Sequence, residues 1–190
     1  MKKVFNTVCI ALLSILSTQL FAQSPDEMKK WTDYITPGEM HKMLAKSNGK
    51  WDEAITVWMA PGAPPTTSTA TCENEMLLDG RFQHGKHVGS FNNMPFEGHS
   101  LVAYDNARKV FQSTWVDNMG SGMMNMEGNY DAASKTLTMK GKSTDPMTGS
   151  LMDVKETLQF IDDNNQLMQM FMVQGGQEFK TMEIKLTRKM

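Results

Sequence analysis

The sequence predicts a mainly β protein, an up-and-down antiparallel barrel of about ten strands that follows one or two short N-terminal helices. From residue 50 to residue 188, short alternating or apolar runs recur about every eight to twelve residues, with turn-forming residues between them. The connections are too short for crossover helices, so consecutive strands must pair as hairpins. A barrel or a sandwich satisfies this pattern, and a barrel is favoured because closure removes exposed strand edges.

Two short helices are predicted before the barrel, at residues 26–34 and 37–46. Pro37 suits a first helical turn, and Ser47-Asn48-Gly49 ends the second segment. Turn chemistry such as Asp105-Asn106 and Gly175-Gly176 then separates the strands. The predicted strands occupy residues 51–59, 67–78, 80–88, 96–104, 109–116, 122–130, 135–142, 150–160, 166–173 and 177–188.

Alternation along the first and last strands indicates which side chains face the interior. The inward face of the last strand comprises Met182, Ile184, Leu186 and Arg188. That of the first strand comprises Trp51, Ile55, Val57 and Met59, and Glu53 interrupts it. An apolar interior with one or two embedded polar groups is typical of a binding cavity.

The first 22 residues have the features of a cleavable secretory signal peptide. Lys2 and Lys3 precede an apolar run from Val8 to Leu16, which is too short to span a bilayer, and Ala22 is a small residue at the expected cleavage position. We therefore expect a periplasmic or secreted protein that is not an integral membrane protein. Residues 23–36 are then an extension with a short helix, and residues 37–190 form the barrel domain.

Charge and cysteine content argue against a nucleic-acid-binding protein and against a disulfide-stabilised fold. The net charge is −2 and no basic stripe is present, so nucleic acid is not expected as a partner. Of the two cysteines, Cys9 lies in the predicted signal peptide. Cys72 alone remains, and no intrachain disulfide is expected.

The 19 methionines raise the possibility of a soft-metal site, since thioether sulfur suits Cu(I). The methionines are scattered over the predicted strands, however, which favours their use as adaptable core or cavity filler. Without a His-x-His or Cys-x-x-Cys pattern, no metal site is predicted. Haem held by His84 or His99 and copper remain as alternatives to a protein without a cofactor.

Several motifs resemble an uncharacterised bacterial family known as domain of unknown function 1579, over approximately residues 38–189. The motifs are MPFEG (94–98), YDN (104–106), STWVDNMG (113–120), EGNYD (127–131), DPMTG (145–149) and KTMEIKLTRK (180–189). The resemblance implies a calycin-like barrel, related to lipocalins, fatty-acid-binding proteins and haem-binding nitrobindins, with no established activity. Gly49-Lys50-Trp51 with Arg188 is similar to the pair at the closed end of lipocalins, which implies that Trp51 stacks beneath Arg188.

Binding of a small apolar or amphipathic molecule, without catalysis, is the favoured function. The residues expected to line the site are Phe96, Glu97, Trp115, Asp117, Met124, Met126 and Glu127. The alternative is an enzyme that uses Glu97, Asp117 and His99 as acid and base groups, which requires these three side chains to meet at an open cavity. No Gly-x-Ser-x-Gly elbow or phosphate-binding loop supports that alternative.

Sequencing of the N-terminus of the exported protein tests the predicted signal peptide. We expect Gln23 as the first residue, because Ala22 occupies the cleavage position. A mature chain that still begins at Met1 would contradict the prediction.

Overall fold

The computed structural model describes residues 24–189, so the predicted signal peptide and its cleavage position lie outside the described residues. Two helices precede the strands, α1 (Pro25–Ile35) and α2 (Glu39–Ala45). Ser24 and Glu27 cap α1 reciprocally, each accepting a hydrogen bond from the other's backbone N–H at 3.2 and 2.7 Å. Neither helix of the described chain has the length and apolar character that a membrane span requires.

Ten antiparallel strands close into a barrel, as the sequence predicts, and each strand is hydrogen-bonded to its neighbours along the chain. Closure comes from the first and last strands, which pair from Trp51 opposite Arg188 to Val57 opposite Met182. The strands are β1 (Gly49–Val57), β2 (Thr66–Leu77), β3 (Phe82–Phe91), β4 (Met94–Asp105), β5 (Val110–Asp117), β6 (Met124–Asp131), β7 (Thr136–Thr144), β8 (Leu151–Phe160), β9 (Asn165–Gln174) and β10 (Gln177–Arg188).

The end of β1 differs from the prediction, which placed Met59 on the inward face. The strand ends at Val57, and Met59 is 76% exposed. A turn in which the Ala63 N–H donates to the Ala60 carbonyl takes the chain out of the ladder. Pro64 and Pro65, which follow, have no N–H to donate to a neighbouring strand.

One end of the barrel is covered by α2, and we call it the closed end. Leu44 of this helix is buried in a core cluster with Phe111 of β5 and Leu137 of β7. Met40 and Met43 pack against the same cluster. The opposite end, where β1 ends and β10 begins, is called the mouth.

Arg188 and Trp51 are in contact at the closed end. The guanidinium carbon lies 4.3 Å from the centre of the indole ring, and Trp51 is fully buried. Arg188 also donates hydrogen bonds to three backbone carbonyls, of Lys46 and Asn48 at 2.6 Å and of Asp163 at 2.8 Å. The indole N–H donates to the Ser47 carbonyl at 2.9 Å. The pair thus ties the segment after α2 to the strands that close the barrel.

Replacing Trp51 by alanine should lower the free energy of unfolding by about 3 to 5 kcal/mol, because a fully buried aromatic ring is lost and the guanidinium loses its stacking partner. Chemical denaturation of the purified protein measures this loss. Trp58→Ala, at a partly exposed position beside Lys180, is the matched control and should cost less. Equal losses for the two variants would contradict the structural role of the buried pair.

Candidate functional site

The barrel interior is packed at the closed end and partly accessible towards the mouth. Trp51, Phe111 and Leu137 are almost fully buried near α2. Further along the strands, inward-facing side chains keep some contact with solvent although the sheet surrounds them. These are Ile55, Val57, His87, Trp115, Met124, Met152, Glu156, Met168, Met170, Met172 and Met182. The accessible half of the barrel is therefore the candidate site.

A polar cluster occupies one wall of this interior, on the neighbouring strands β1, β2 and β3. Nδ1 of His87 lies 3.0 Å from Oε1 of Glu53, and Nε2 lies 3.6 Å from Sγ of Cys72. The side chain of Glu53 is 2% exposed and that of His87 is 15% exposed. The Cys72 thiol also donates to Oδ1 of Asn74 at 3.2 Å. We call Glu53, Cys72 and His87 the interior cluster.

Trp115 and Asp117 lie at the mouth side of the same region. The indole N–H donates to Oδ2 of Asp117 at 2.7 Å, and the ring meets His87 edge-on at a centroid distance of 5.0 Å. Phe96 stacks on Trp115 at 6.4 Å. Gly98 makes this packing possible, because a Cβ there would lie 2.4 Å from the indole ring.

Glu156 faces the interior from β8, which is diametrically opposite β3 in the closed strand order. Its carboxylate makes no hydrogen bond within residues 24–189. Burial raises the pKa of Glu156 to about 7, and the attraction of His87 across the barrel opposes this rise. The interior thus contains an acid that is protonated at mildly acidic pH and charged above neutrality.

The interior cluster has the order of a carboxylate, an imidazole and a thiol, which in some enzymes activates a nucleophile. In this barrel, the surroundings of Cys72 oppose activation of its thiol. Burial and the charge of Glu53 raise the pKa of the Cys72 thiol far above its ordinary value, and the residue is only 2% exposed. The thiol therefore stays protonated, and its sulfur is not open to a substrate carbonyl.

Five of the seven residues expected to line the site have their side chains on the inner face. Phe96, Trp115, Asp117 and Met124 lie towards the mouth, and Met126 is buried deeper in the core. Glu97 and Glu127 lie on the outer face, because each alternates with an inward-facing glycine, Gly98 or Gly128. The structure does not bring these two acids into the interior.

On the outer wall, both of these acids have basic partners. Glu97 lies 3.2 Å from Nζ of Lys86 and 3.0 Å from Nε2 of His99, and hydrogen bonds from these groups hold its pKa below the ordinary value. Glu127 lies 2.9 Å from Arg108, which lowers its pKa in the same way. Glu127 borders a shallow outer depression of about 330 Å³. These arrangements are those of solvated ion pairs.

The enzymatic alternative required Glu97, Asp117 and His99 to meet at one cavity. Glu97 and His99 meet on the outer surface, whereas Asp117 lies on the inner side, bonded to Trp115 and to the backbone N–H of Met119. The sheet separates the two groups. That set of residues therefore does not form one acid and base site.

The histidines named as possible haem ligands also lie outside the barrel. His84 and His99 stack on each other on the outer face with 2.9 Å between Nε2 and Nδ1. The histidine on the inner face of the strands is His87, which is not among the predicted site residues. His87 follows His84 by three residues, so strand alternation places the two side chains on opposite faces. Glu53 interrupts the apolar inward face of β1, and this interruption was the sequence signal for an inward polar position there.

The fold and this interior define a closed antiparallel β-barrel that is packed at one end and accessible at the other. The chain belongs to the family described as protein of unknown function DUF1579, whose model matches residues 36–188. The crystal structure of Rv2717c from M. tuberculosis is similar, with a TM-score of 0.58 and 12% sequence identity. The match covers 82% of this chain and 100% of that one, and concerns the fold alone. No curated protein matches the chain.

The raised pKa of Glu156 makes folding stability depend on pH. In the unfolded chain the group ionises near its ordinary value of 4.5, and in the folded chain near about 7, so the contribution of Glu156 to stability is greatest below the first value and falls as pH rises towards the second. Glu156→Gln should remove this fall and raise the melting temperature by several degrees at about pH 8. Glu75→Gln, on an exposed glutamate, is the matched control. Parallel pH profiles of melting temperature for wild type and Glu156→Gln would contradict this assignment.

Proposed function

We propose that the protein is an exported, non-enzymatic binding protein that holds a small amphipathic molecule in the mouth half of its barrel. The observation that supports this proposal is the partial accessibility of inward-facing side chains between the packed closed end and the mouth. A closed sheet with residual interior space is the usual form of a small-ligand site in barrels of this size. The signal-peptide features of residues 1–22 support export.

The apolar part of the ligand would contact thioether and aromatic groups. The inner face of β9 carries Met168, Met170 and Met172 in succession. Phe96 on β4 and Trp115 on β5 lie on the opposite side of the barrel. Methionine side chains are flexible and polarizable, so they adapt to ligands of irregular shape. This wall therefore favours an apolar chain or ring over a rigid polar molecule.

The polar part of the ligand would meet hydrogen-bond acceptors rather than basic side chains. The inner face carries the carboxyl groups of Glu53, Asp117 and Glu156, of which Glu156 makes no hydrogen bond within the described chain. Arg188, on the same face, is engaged by Trp51 and three carbonyls at the closed end. The charge balance therefore favours a ligand whose polar end donates hydrogen bonds or carries a positive charge, and disfavours a carboxylate.

Binding of the neutral fluorescent probe N-phenyl-1-naphthylamine tests the site. Ser143 faces inward near the mouth and is partly accessible, whereas its neighbour Thr144 is exposed on the outer face. A tryptophan at position 143 should fill the entrance and weaken probe binding by at least about tenfold, a loss that corresponds to about 1.4 kcal/mol. Thr144→Trp is the matched control and should bind the probe as wild type does.

Displacement of the probe by dodecylamine and by dodecanoate tests the polar preference, because the two molecules share a chain and differ in head-group charge. We expect the amine to displace the probe at lower concentration than the carboxylate, since the interior supplies acids. Equal probe binding by Ser143→Trp and Thr144→Trp would overturn the location of the site. Better displacement by the carboxylate would overturn the charge argument.

A further inference from the structure

The interior cluster brings three different metal-binding groups to one point. A carboxylate oxygen of Glu53, Sγ of Cys72 and an imidazole nitrogen of His87 all lie within 4.8 Å of one another. Bonds of about 2.0 to 2.3 Å at tetrahedral angles place the ligand atoms of a zinc ion about 3.3 to 3.8 Å apart. The 3.6 Å between Cys72 Sγ and His87 Nε2 already has this value.

The register of the sheet explains why these groups converge although they are distant in sequence. Cys72 is paired with Trp51 on one side and with His87 on the other, and Glu53 lies two residues along the same inner face of β1. Rigid strands rather than loops carry all three groups. A site built in this way is held in place by the barrel itself.

Gly85, two residues before His87 on the inner face of β3, lets polar side chains pack against the strand backbone beside the cluster. A Cβ at this position would lie 2.7 Å from Oδ1 of Asn74, 3.1 Å from Nε2 of His87 and 2.5 Å from Oγ of Ser100. Three polar atoms thus lie close to this glycine, which has no side chain to displace them. One of them, Asn74 Oδ1, also accepts a hydrogen bond from the Cys72 thiol and is a further oxygen atom beside the cluster that could bind an ion.

The charge of the interior also fits a cation. Glu53 is buried with its carboxylate 3.0 Å from Nδ1 of His87, and Glu156 faces His87 from the opposite wall with no hydrogen bond within residues 24–189. A divalent ion bound by one carboxylate, one thiolate and one neutral imidazole forms a complex with no net charge. Such a complex adds no net charge to the buried interior.

We propose that Glu53, Cys72 and His87 bind one divalent cation of the zinc class inside the barrel. On binding, the Cys72 thiol loses its proton to solvent and its sulfur forms a bond to the ion, while His87 donates a nitrogen lone pair and Glu53 a carboxylate oxygen. The sequence predicts no metal site because no short-range ligand pattern is present. The ligands come instead from three strands that only the fold brings together. The proposal goes beyond small-molecule binding and does not depend on it.

Titration of the chelator-treated full-length protein with Co²⁺ tests the proposal, because a thiolate bound to cobalt gives a charge-transfer band that other ligands do not give. We expect this band at one equivalent, together with the strong visible bands of four-coordinate cobalt, and its loss when one equivalent of Zn²⁺ is added. Cys72→Ser should abolish the charge-transfer band. His87→Gln and Glu53→Gln, which preserve size, should weaken cobalt binding by at least about tenfold.

Three controls make the result specific. His84→Gln and His99→Gln alter the outer histidine pair and should leave the cobalt spectrum unchanged. Cys9→Ser removes the other cysteine of the full chain and should also leave it unchanged. Circular dichroism of each variant establishes that it is folded, and Zn²⁺ should raise the melting temperature of the wild type but not of folded Cys72→Ser.

Absence of the charge-transfer band in the wild type would overturn the proposal, as would a band that survives in Cys72→Ser. Cobalt binding that is lost in His84→Gln or His99→Gln would place the ion on the outer surface instead. These titrations contain no organic ligand, and the probe experiments contain no metal. Failure of one proposal is therefore distinguishable from failure of the other.

Discussion

The pairing of β1 with β10 is the interaction on which the rest of the structure depends. Once Trp51 lies opposite Arg188 with its ring turned inward, alternation assigns the residues paired with it along the seam, from Trp51 to Val57 and from Met182 to Arg188, to the interior or to solvent. The same ladder removes the last two free edges of the sheet. Arg188 strengthens the closure at one end because its guanidinium is bonded to carbonyls on both sides of the seam.

The composition of the interior follows from this closure and changes along the barrel axis. Near α2, aromatic and aliphatic side chains fill the space completely. Towards the mouth, inward-facing side chains, many of them long flexible methionines, keep partial contact with solvent. Buried acids are stable there only because His87 or hydrogen-bond donors face them, or because protonation removes the charge, as for Glu156.

The strand pattern was accessible to sequence reasoning because it depends on local turn chemistry and period-two alternation. All ten strands lie within a few residues of their predicted positions, and Trp51 meets Arg188. The candidate site was harder to predict because membership of a motif does not say which face a side chain occupies. Glu97 and Glu127 were grouped with their neighbours in sequence, although an inward glycine beside each one directs the acid outward.

The interior cluster depends on long-range register, which a single sequence does not reveal. Cys72 meets His87 because the β2–β3 hairpin turns through Leu78, Asp79 and Gly80, all with positive φ. Leucine rarely adopts that conformation, so the turn and its register were not evident from residue type. Glu53 lies near Cys72 and His87 only in one register of β1 against β2. The registers of both hairpins must therefore be known before the three side chains can be placed together.

Closure through the first and last strands also has a consequence for how the chain folds. Neighbouring hairpins can form from local sequence, but the seam joins segments at opposite ends of the barrel domain, so it carries the largest loop-closure entropy of any strand pair. Until β10 is available, β1 and the growing sheet each present an unsatisfied edge that invites association with other chains. We therefore expect the seam to form last, and contact between the Arg188 guanidinium and the Trp51 indole to end the stage at which the chain is most prone to association.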